Sequence, residues 1–324
     1  MRYTDAGVSL GKASALVGWL KGRLKGEVGS FSARVKLGGD TLLLSTDGIG
    51  TKILLALKYY RLTGDGGVLL ALGQDLVAMV SNDILADGGR TLYFLDYFAT
   101  GNLEPDVARI VLEGIIRATR RVGARLVGGE TAELPGMLPK GTFDVAGFGV
   151  GVPMLKRRRR VKPGDVLIAF PSSGFHSNGY SLIRRIVEER GLDLLKTYRE
   201  TGSRKPLGAL LLRPTRLYYR VGREMFLKYG AKAGAHITGG GIPENLPRAL
   251  SGYDASVRWD AVPTPRFMRF LLQVGEVPED EARRVFNMGV GFVFVVPERR
   301  VGAVLRRFKE AFVLGEVAGR TPSV

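Results

Sequence analysis

Two series of alternating strand-like and helix-like segments, parted by one basic stretch, constrain this 324-residue chain more than any other feature. In the first series, "DTLLLSTDG" (40–48) and "TLYFLDYFATG" (91–101) are apolar, β-branched and aromatic runs that read as strands. "KASALVGWLKGRLK" sets Ala13, Leu16, Val17, Leu20 and Leu24 at helical spacing. "GQDLVAMVSNDILADGG" reads as a helix stopped at Gly88-Gly89, and "EPDVARIVLEGIIRATRRVG" as an amphipathic helix with Pro near its start and Gly at its end. "ARLVGGETAELPG" reads as a short strand and a loop, and "TFDVAGFGVGV" as a Gly-containing strand that closes the half. After "PMLKRRRRVKPGD" (153–165) the alternation restarts with the strand "DVLIAFP", the helices "YSLIRRIVEERG" and "TRLYYRVGREMFLKYG", and the strand "VGFVFVVPE". The expectation is an α/β (α+β) protein of two domains, residues 1–155 and 156–324, each with a mixed sheet.

Composition excludes several chemistries. There is no Cys, which removes disulfides, thiolate metal sites and Cys nucleophiles, and only two His, His176 and His236, are present. A metal would rest on carboxylates, which favours Mg²⁺ over Zn²⁺. The net charge is +17 and the pI about 10.2. Basic residues are spread along the chain without interleaved aromatic stacking platforms, and the one dense cluster is "LKRRRRVKPGD" (155–165). Anionic small-molecule substrates and a solvated basic segment between domains fit this better than nucleic-acid binding. No apolar run reads as long enough to cross a bilayer and the N-terminus lacks a signal-peptide core, so a soluble, cytoplasmic protein is expected.

Five segments carry possible chemistry. "STDGIGTK" (45–52) puts Asp47 at a strand end, Gly48 and Gly50 in a turn, and Lys52 behind them. It fails the G-x-x-x-x-G-K-[ST] phosphate-loop pattern, so the alternatives are a metal-holding Asp with a phosphate-facing Lys, or a plain turn with a local Asp–Lys contact. In the helix "GQDLVAMVSNDIL", Asp75 and Asn82 share a face with Asp83 beside it. Such a polar stripe is ordinarily solvated, and becomes a metal site only if another carboxylate such as Asp47 faces it. "VGGETAELPGM" carries Glu130, Thr131 and Glu133 behind a Gly pair, which suits phosphate approach or a simple turn. "SSGFHSNGYSLIRR" is a Ser-, Gly- and Asn-rich loop before a helix and suits phosphate esters, and "HITGGGIPENLPR" carries three glycines that suit a mobile or ligand-hugging loop; each holds one of the two His. A lone His is more often structural than catalytic; finding both in such loops favours a site.

In this order the segments "TDGIGTK", "GQDLVAMVSNDIL", "YFLDYFATG", "VGGETAELPGM", "DVAGFGVG", "SSGFHSNGYSLIR" and "HITGGGIPENLPR" resemble the aminoimidazole ribonucleotide synthetase (phosphoribosylformylglycinamidine cyclo-ligase) family of purine biosynthesis, over nearly the whole chain. The resemblance implies ATP-dependent ring closure of formylglycinamidine ribonucleotide through a phosphorylated intermediate, with ATP and Mg²⁺, and K⁺ as a further candidate. It implies metal ligation by Asp47 and Asp83, with Asp75 next. It places Thr51, Lys52, Asn82, Gly129, Glu130 and Thr131 near ATP. It places Ser172, Ser173, Gly174, His176, Ser177 and Asn178, with Thr238, Gly239, Gly240, Gly241, Glu244 and Asn245, near the substrate. His236, His176 and Lys52 are the catalytic candidates. It further implies a homodimer whose first domains pair their sheets into a joint barrel, with no membrane partner. Two departures stand out. "VGSFSARVKLGG" (28–39) replaces a Gly-rich stretch like "GGFGG", and Gly89 and Thr91 replace Ala and Pro in an Asp-x4-Gly-Ala-x-Pro signature. The alternatives are another phosphoryl transferase of the same superfamily, such as a thiamine-monophosphate kinase, and a basic nucleic-acid-binding protein.

Overall fold

The computed structural model describes residues 1–8, 10–24 and 30–320. Val28 and Gly29 of the altered loop lie outside these residues. Among the described residues ten strands form two five-stranded sheets. The first contains β1 (Ala33–Leu37), β2 (Asp40–Gly48), β3 (Gly89–Thr100), β4 (Arg125–Glu133) and β5 (Phe143–Pro153), in the order β1-β2-β5-β3-β4. Only the β3–β4 pair is parallel, and the long helix between those strands is the crossover that a parallel pair needs. The second sheet contains β6 (Val166–Pro171), β7 (Ala233–His236), β8 (Ala255–Val257), β9 (Val290–Val296) and β10 (Phe312–Val317), in the order β7-β9-β6-β10-β8.

Eleven α-helices accompany them among the described residues: α1 (Leu10–Arg23), α2 (Lys52–Thr63), α3 (Gly67–Ala86), α4 (Pro105–Arg121), α5 (Tyr180–Glu189), α6 (Leu207–Leu211), α7 (Tyr219–Leu227), α8 (Gly241–Ala249), α9 (Arg266–Val274), α10 (Glu279–Val285) and α11 (Val301–Arg307). The α/β (α+β) expectation holds and the first sheet is mixed as expected, but the second, also expected to be mixed, is antiparallel in every described pair, its neighbouring strands running in opposite directions. The stretch expected as a short strand and loop after residue 125 is instead a strand through Glu133, because the parallel ladder to β3 runs on from Tyr93↔Arg125 to Thr100↔Glu133.

Helix α3 organises the molecule. Its Leu72, Leu76, Val80 and Ile84 are fully buried, and glycines on the facing elements admit it closely. A Cβ on Gly73 would lie 2.3 Å from the Val111 carbonyl of α4, and one on Gly149 of β5 would lie 2.5 Å from Val80. Contrary to the sequence expectation, this segment is long and apolar enough to cross a membrane, with a mean hydropathy of 1.5; 78% of that window is buried inside the molecule, as befits a core helix. Its C-terminal turn reaches the second sheet, where a Cβ on Gly234 of β7 would lie 3.1 Å from the Ala86 Cα. Helix α3 ends as expected, with Gly88 in the left-handed region (φ 76°) closing on the Leu85 carbonyl.

Candidate functional site

The site begins with a row of residues across the first sheet. Asp47 (β2) pairs with Gly147 (β5), Gly147 with Asp96 (β3), and Asp96 with Gly129 (β4). Directly paired residues share a face, so two carboxylates flank a position without a side chain. A Cβ on Gly147 would lie 2.5 Å from Phe94, and one on Gly129 would lie 2.4 Å from Asp96 Oδ1, so Gly147 admits the Phe94 ring and Gly129 makes room for the acid. Burial pushes the Asp47 carboxyl up to about 7, helped by the nearby charge of Asp83; the Gly48 N–H donated to its Oδ1 (2.8 Å) and the Arg248 charge oppose this. Burial also raises Asp96. Asp47 and Asp83 lie close enough for their charges to interact, and such a pair has the charge and donor type that a hard cation would need.

Asp83 comes from α3 and is held by His236 at the end of β7. His236 Nδ1 lies 2.9 Å from Asp83 Oδ1, and its Nε2 lies 3.3 Å from Asn82 Nδ2. Asn82 is itself oriented by the backbone, donating to the Arg216 carbonyl (3.0 Å) and accepting from the Tyr218 N–H (3.1 Å). The Asn82 amide therefore faces Nε2 as a donor, and the proton sits on Nδ1, directed at Asp83. The imidazole is fully buried with both nitrogens engaged, which suits aiming Asp83 rather than shuttling protons to a substrate.

Lys52 and Asp75 do not join this group. They form a fully buried ion pair at 2.7 Å. Lys52 Nζ also donates to the carbonyls of His176 (2.8 Å) and Arg213 (2.9 Å), so all three of its protons are used. Asp75 Oδ1 accepts from the Thr215 N–H and hydroxyl, both at 2.6 Å. The sequence grouping of Asp75 with Asp47 and Asp83 thus separates: Asp75 lies two helical turns from Asp83 and faces the 213–218 segment, and Lys52 faces Asp75 rather than a cleft. The polar stripe on α3 is also not solvated, since Asp75 is 0% and Asn82 1% exposed. Among the described residues no three His, Asp or Glu side chains gather as a ready-made metal cage.

The two Gly-rich loops meet. A Cβ on Gly239 would lie 3.4 Å from Asn178 Oδ1. Asn178 Nδ2 is buried with no hydrogen-bond partner among the described residues, an amide donor left for a ligand. Gly240 (φ 90°) and Gly241 (φ 59°) are left-handed, and a Cβ on Gly241 would lie 2.0 Å from the Arg283 carbonyl. Asn245 ties the loop, donating to the Gly239 (3.0 Å) and Gly241 (2.8 Å) carbonyls, with Thr238 at 3.4 Å and Glu244 exposed beside it. In the other loop, Ser172 and Ser173 hydroxyls donate to the Gly174 and Pro214 carbonyls, and Ser177 meets Thr215 at 2.9 Å. His176 sits at φ 59° and is fully buried; burial, then the neighbouring His236, Lys52 and Arg216, holds its pKa well below the usual imidazole value. Its Nε2 accepts from the Ser173 N–H (3.2 Å), so it braces the loop as a neutral ring. Thr51 hydrogen-bonds Ser181 (3.1 Å) across the halves, while Gly129, Glu130 and Thr131 are exposed on the edge strand β4.

Sequence reasoning missed Asp96 and Arg248. Asp96 is an acid at an inward-facing position of the otherwise apolar "YFLDYF", and that alternation was the available signal. Arg248 closes the quoted "PENLPR" segment, but only the fold turns its charge toward Asp47.

The model of the AIR synthase related protein N-terminal domain matches residues 29–152, and that of the C-terminal domain matches residues 162–324. A phosphoribosylformylglycinamidine cyclo-ligase from Synechococcus sp. is 40% identical, covering 99% of this chain and 95% of that protein. The chain belongs to the phosphoribosylformylglycinamidine cyclo-ligase family. A relative of the same name from Sorangium cellulosum is 41% identical, covering 97% of this chain and 94% of that protein. The fold is also that of thiamine monophosphate kinase from Aquifex aeolicus (TM-score 0.66, 19% identity, 97% of this chain and 96% of that one). A hydrogenase maturation protein HypE in complex with ATP is similar as well (TM-score 0.62, 22% identity, 89% of this chain and 79% of that one).

Proposed function

We propose that the chain is the ATP-dependent enzyme that closes formylglycinamidine ribonucleotide to aminoimidazole ribonucleotide, releasing ADP and phosphate in purine biosynthesis. The observation that carries this is full-length identity of about 40% to cyclo-ligases, supported by the coupled Asp47 and Asp83 carboxylates and the unpartnered Asn178 amide in the matching segments. In this reading the formyl oxygen of the substrate takes the γ-phosphoryl group of ATP and ADP leaves. The substrate's amine nitrogen then attacks the activated carbon, the phosphate departs with the C–O bond, and the ring closes. The protein's share is positioning and charge placement rather than covalent chemistry. Asp47 and Asp83 would hold Mg²⁺, whose role is to neutralise charge on the transferring phosphoryl. His236 fixes the Asp83 carboxylate, and Asn178 presents its free amide to the substrate. K⁺ is a further candidate.

Residues 1–155 and 156–324 are proposed as the ATP-binding and substrate-binding units, working in the cytoplasm. One face of the first sheet exposes Val35, Leu37, Tyr93, Leu95, Tyr97 and Phe148, which supports a homodimer paired through that face. The deciding assay is ADP release with ATP, Mg²⁺ and formylglycinamidine ribonucleotide. Turnover with thiamine monophosphate alone would replace this reading with the kinase.

A further inference from the structure

The catalytic reading leaves most of the net charge of +17 without a task. The basic run 156–160 is not simply solvated: Arg158 bonds the buried Asp87 carboxylate at 2.5 Å, and Arg159 donates to the Phe226 (2.6 Å) and Ala231 (3.0 Å) carbonyls. On α4, α5 and α10, arginines meet a glutamate one turn away, as Arg117 with Glu113 (2.6 Å), Arg185 with Glu189 (2.6 Å) and Arg283 with Glu279. Such pairs neutralise a solvated face. Helices α7 and α11 differ. Helix α7 buries Met225 and Phe226, with the Phe226 ring 5.8 Å from that of Phe294 on β9. Its outward row is Arg220, Arg223 and Leu227, followed by Lys228. Glu224 ties this row to α11: it accepts from Arg307 Nε (3.2 Å) and Nη2 (3.0 Å) and lies 3.9 Å from Lys228. The Arg307 hydrogen bonds, then the charges of Arg307, Lys228 and Arg223, hold its carboxyl below the usual range. One carboxylate therefore serves several cations. The other acids of these two segments are Glu298 and Glu310, and Glu310 is bonded to Arg216. Among the described residues, Arg220, Arg223 and Arg300 have no carboxylate within ion-pair distance. Leu227, 44% exposed, stands among these cations.

We propose that the α7–α11 face docks an acidic segment of another protein. Its carboxylates would meet Arg220, Arg223, Lys228, Arg300 and Arg307, and an apolar side chain would cover Leu227. Complementary charge steers the encounter, and the apolar contact anchors it. A nucleic acid fits this face less well. Leu227 offers phosphates nothing, and the nearby Tyr229 and Phe308 rings are half-buried and packed edge to face at 5.8 Å, so bases find no stacking platform. None of these residues belongs to the candidate site, so the proposal stands apart from the reaction assigned to it.

Fluorescence anisotropy of the full-length protein tests it with labelled glutamate-rich peptides, one carrying leucine at every fourth position and one carrying serine there. Labelled poly(U) RNA is the third probe. The leucine peptide is expected to bind saturably and to weaken about 10-fold or more in Arg223→Glu/Lys228→Glu. It should stay within about 2-fold in Arg109→Glu/Lys140→Glu, which makes the same charge change on α4 and the β4–β5 loop. Leu227→Ser is expected to weaken the leucine peptide about 3- to 10-fold and to leave the serine peptide unmoved. All three variants should keep the wild-type melting temperature, since the altered side chains are exposed. Equal weakening by the two charge-reversing pairs would mean diffuse attraction to net charge and would overturn the proposal. So would absence of peptide binding to the wild type, or tighter binding of poly(U) that is blind to Leu227→Ser.

Discussion

Replacing Lys52 by Met separates a structural brace from a phosphate-binding lysine. The substitution keeps the aliphatic length and removes the ammonium. It strands the Asp75 carboxylate, which keeps only its two Thr215 hydrogen bonds, and it leaves the His176 and Arg213 carbonyls without their donor. Breaking one side of a buried pair costs about 3–5 kcal/mol. Unfolding entropy of about 2.1 cal/mol/K per residue gives about 0.7 kcal/mol/K for a chain of this length, so 4 kcal/mol corresponds to a fall of about 6 °C in melting temperature. Adding Asp75→Asn removes the stranded charge and should recover about half of the loss, since the double variant carries no unpaired ion. Differential scanning calorimetry measures both. At temperatures well below the transition, the KM for ATP of Lys52→Met should stay within about 3-fold of wild type, because a side chain with no exposed surface makes no uniform contact with the nucleotide. An unchanged melting temperature together with a collapse in ATP affinity would refute the brace and return Lys52 to the phosphates.

The remaining expectations follow from the same geometry. The Asp47 carboxyl is raised from 3.8 to about 7, so its neutral form is favoured by folding; in metal-free protein this stabilisation is full below about pH 4 and is lost as pH rises through 7. Asp47→Asn should flatten that part of the pH–stability curve and abolish Mg²⁺-dependent ADP release. His236→Ala should lower kcat by about 10- to 100-fold, mainly by releasing Asp83, and weaken the Mg²⁺ dependence of the rate; an unaltered Mg²⁺ titration alongside lost turnover would restore an acid–base role. Gly241→Ala, strained at φ 59° and crowded by the Arg283 carbonyl, should destabilise by about 2–4 kcal/mol in chemical denaturation. Tyr97→Glu on the exposed sheet face should shift sedimentation toward monomer if that face pairs two copies.

What could be read from the sequence was periodicity and punctuation. The strand 40–48, the stop of α3 at Gly88 and the helix 105–121 follow from apolar spacing and from Pro and Gly, all local properties. Asp47 was legible because an acid at a strand end before a Gly turn is a local pattern. The partners of polar residues were not. Lys52 lies near Asp47 in sequence, and a turn containing both suggests a shared ligand. The fold instead sends Lys52 inward at the start of α2, toward carbonyls more than a hundred positions away. His236 and His176 likewise drew attention as rare titratable groups in Gly-rich loops, whereas burial and fixed partners decide their roles.

The polar face of α3 shows why such contacts outweigh local propensity. Gln74 and Asp75 bond Thr215, Asn82 bonds Arg216 and Tyr218, and Asp83 bonds His236. Each partner lies in the C-terminal half of the chain, whereas Leu72, Leu76, Val80 and Ile84 of the same helix belong to the core on the first sheet. A stripe that would be solvated on an isolated domain is therefore a set of satisfied buried bonds between halves, each costly to break because its polar groups would lose both water and partner. The last bond of that series is the one that aims Asp83 at Asp47. The placing of Asp83 beside Asp47 is thus set by the joint between the two sheets. A change that loosens the 213–218 segment, far from either carboxylate, should displace Asp83 and reduce turnover before it unfolds the protein.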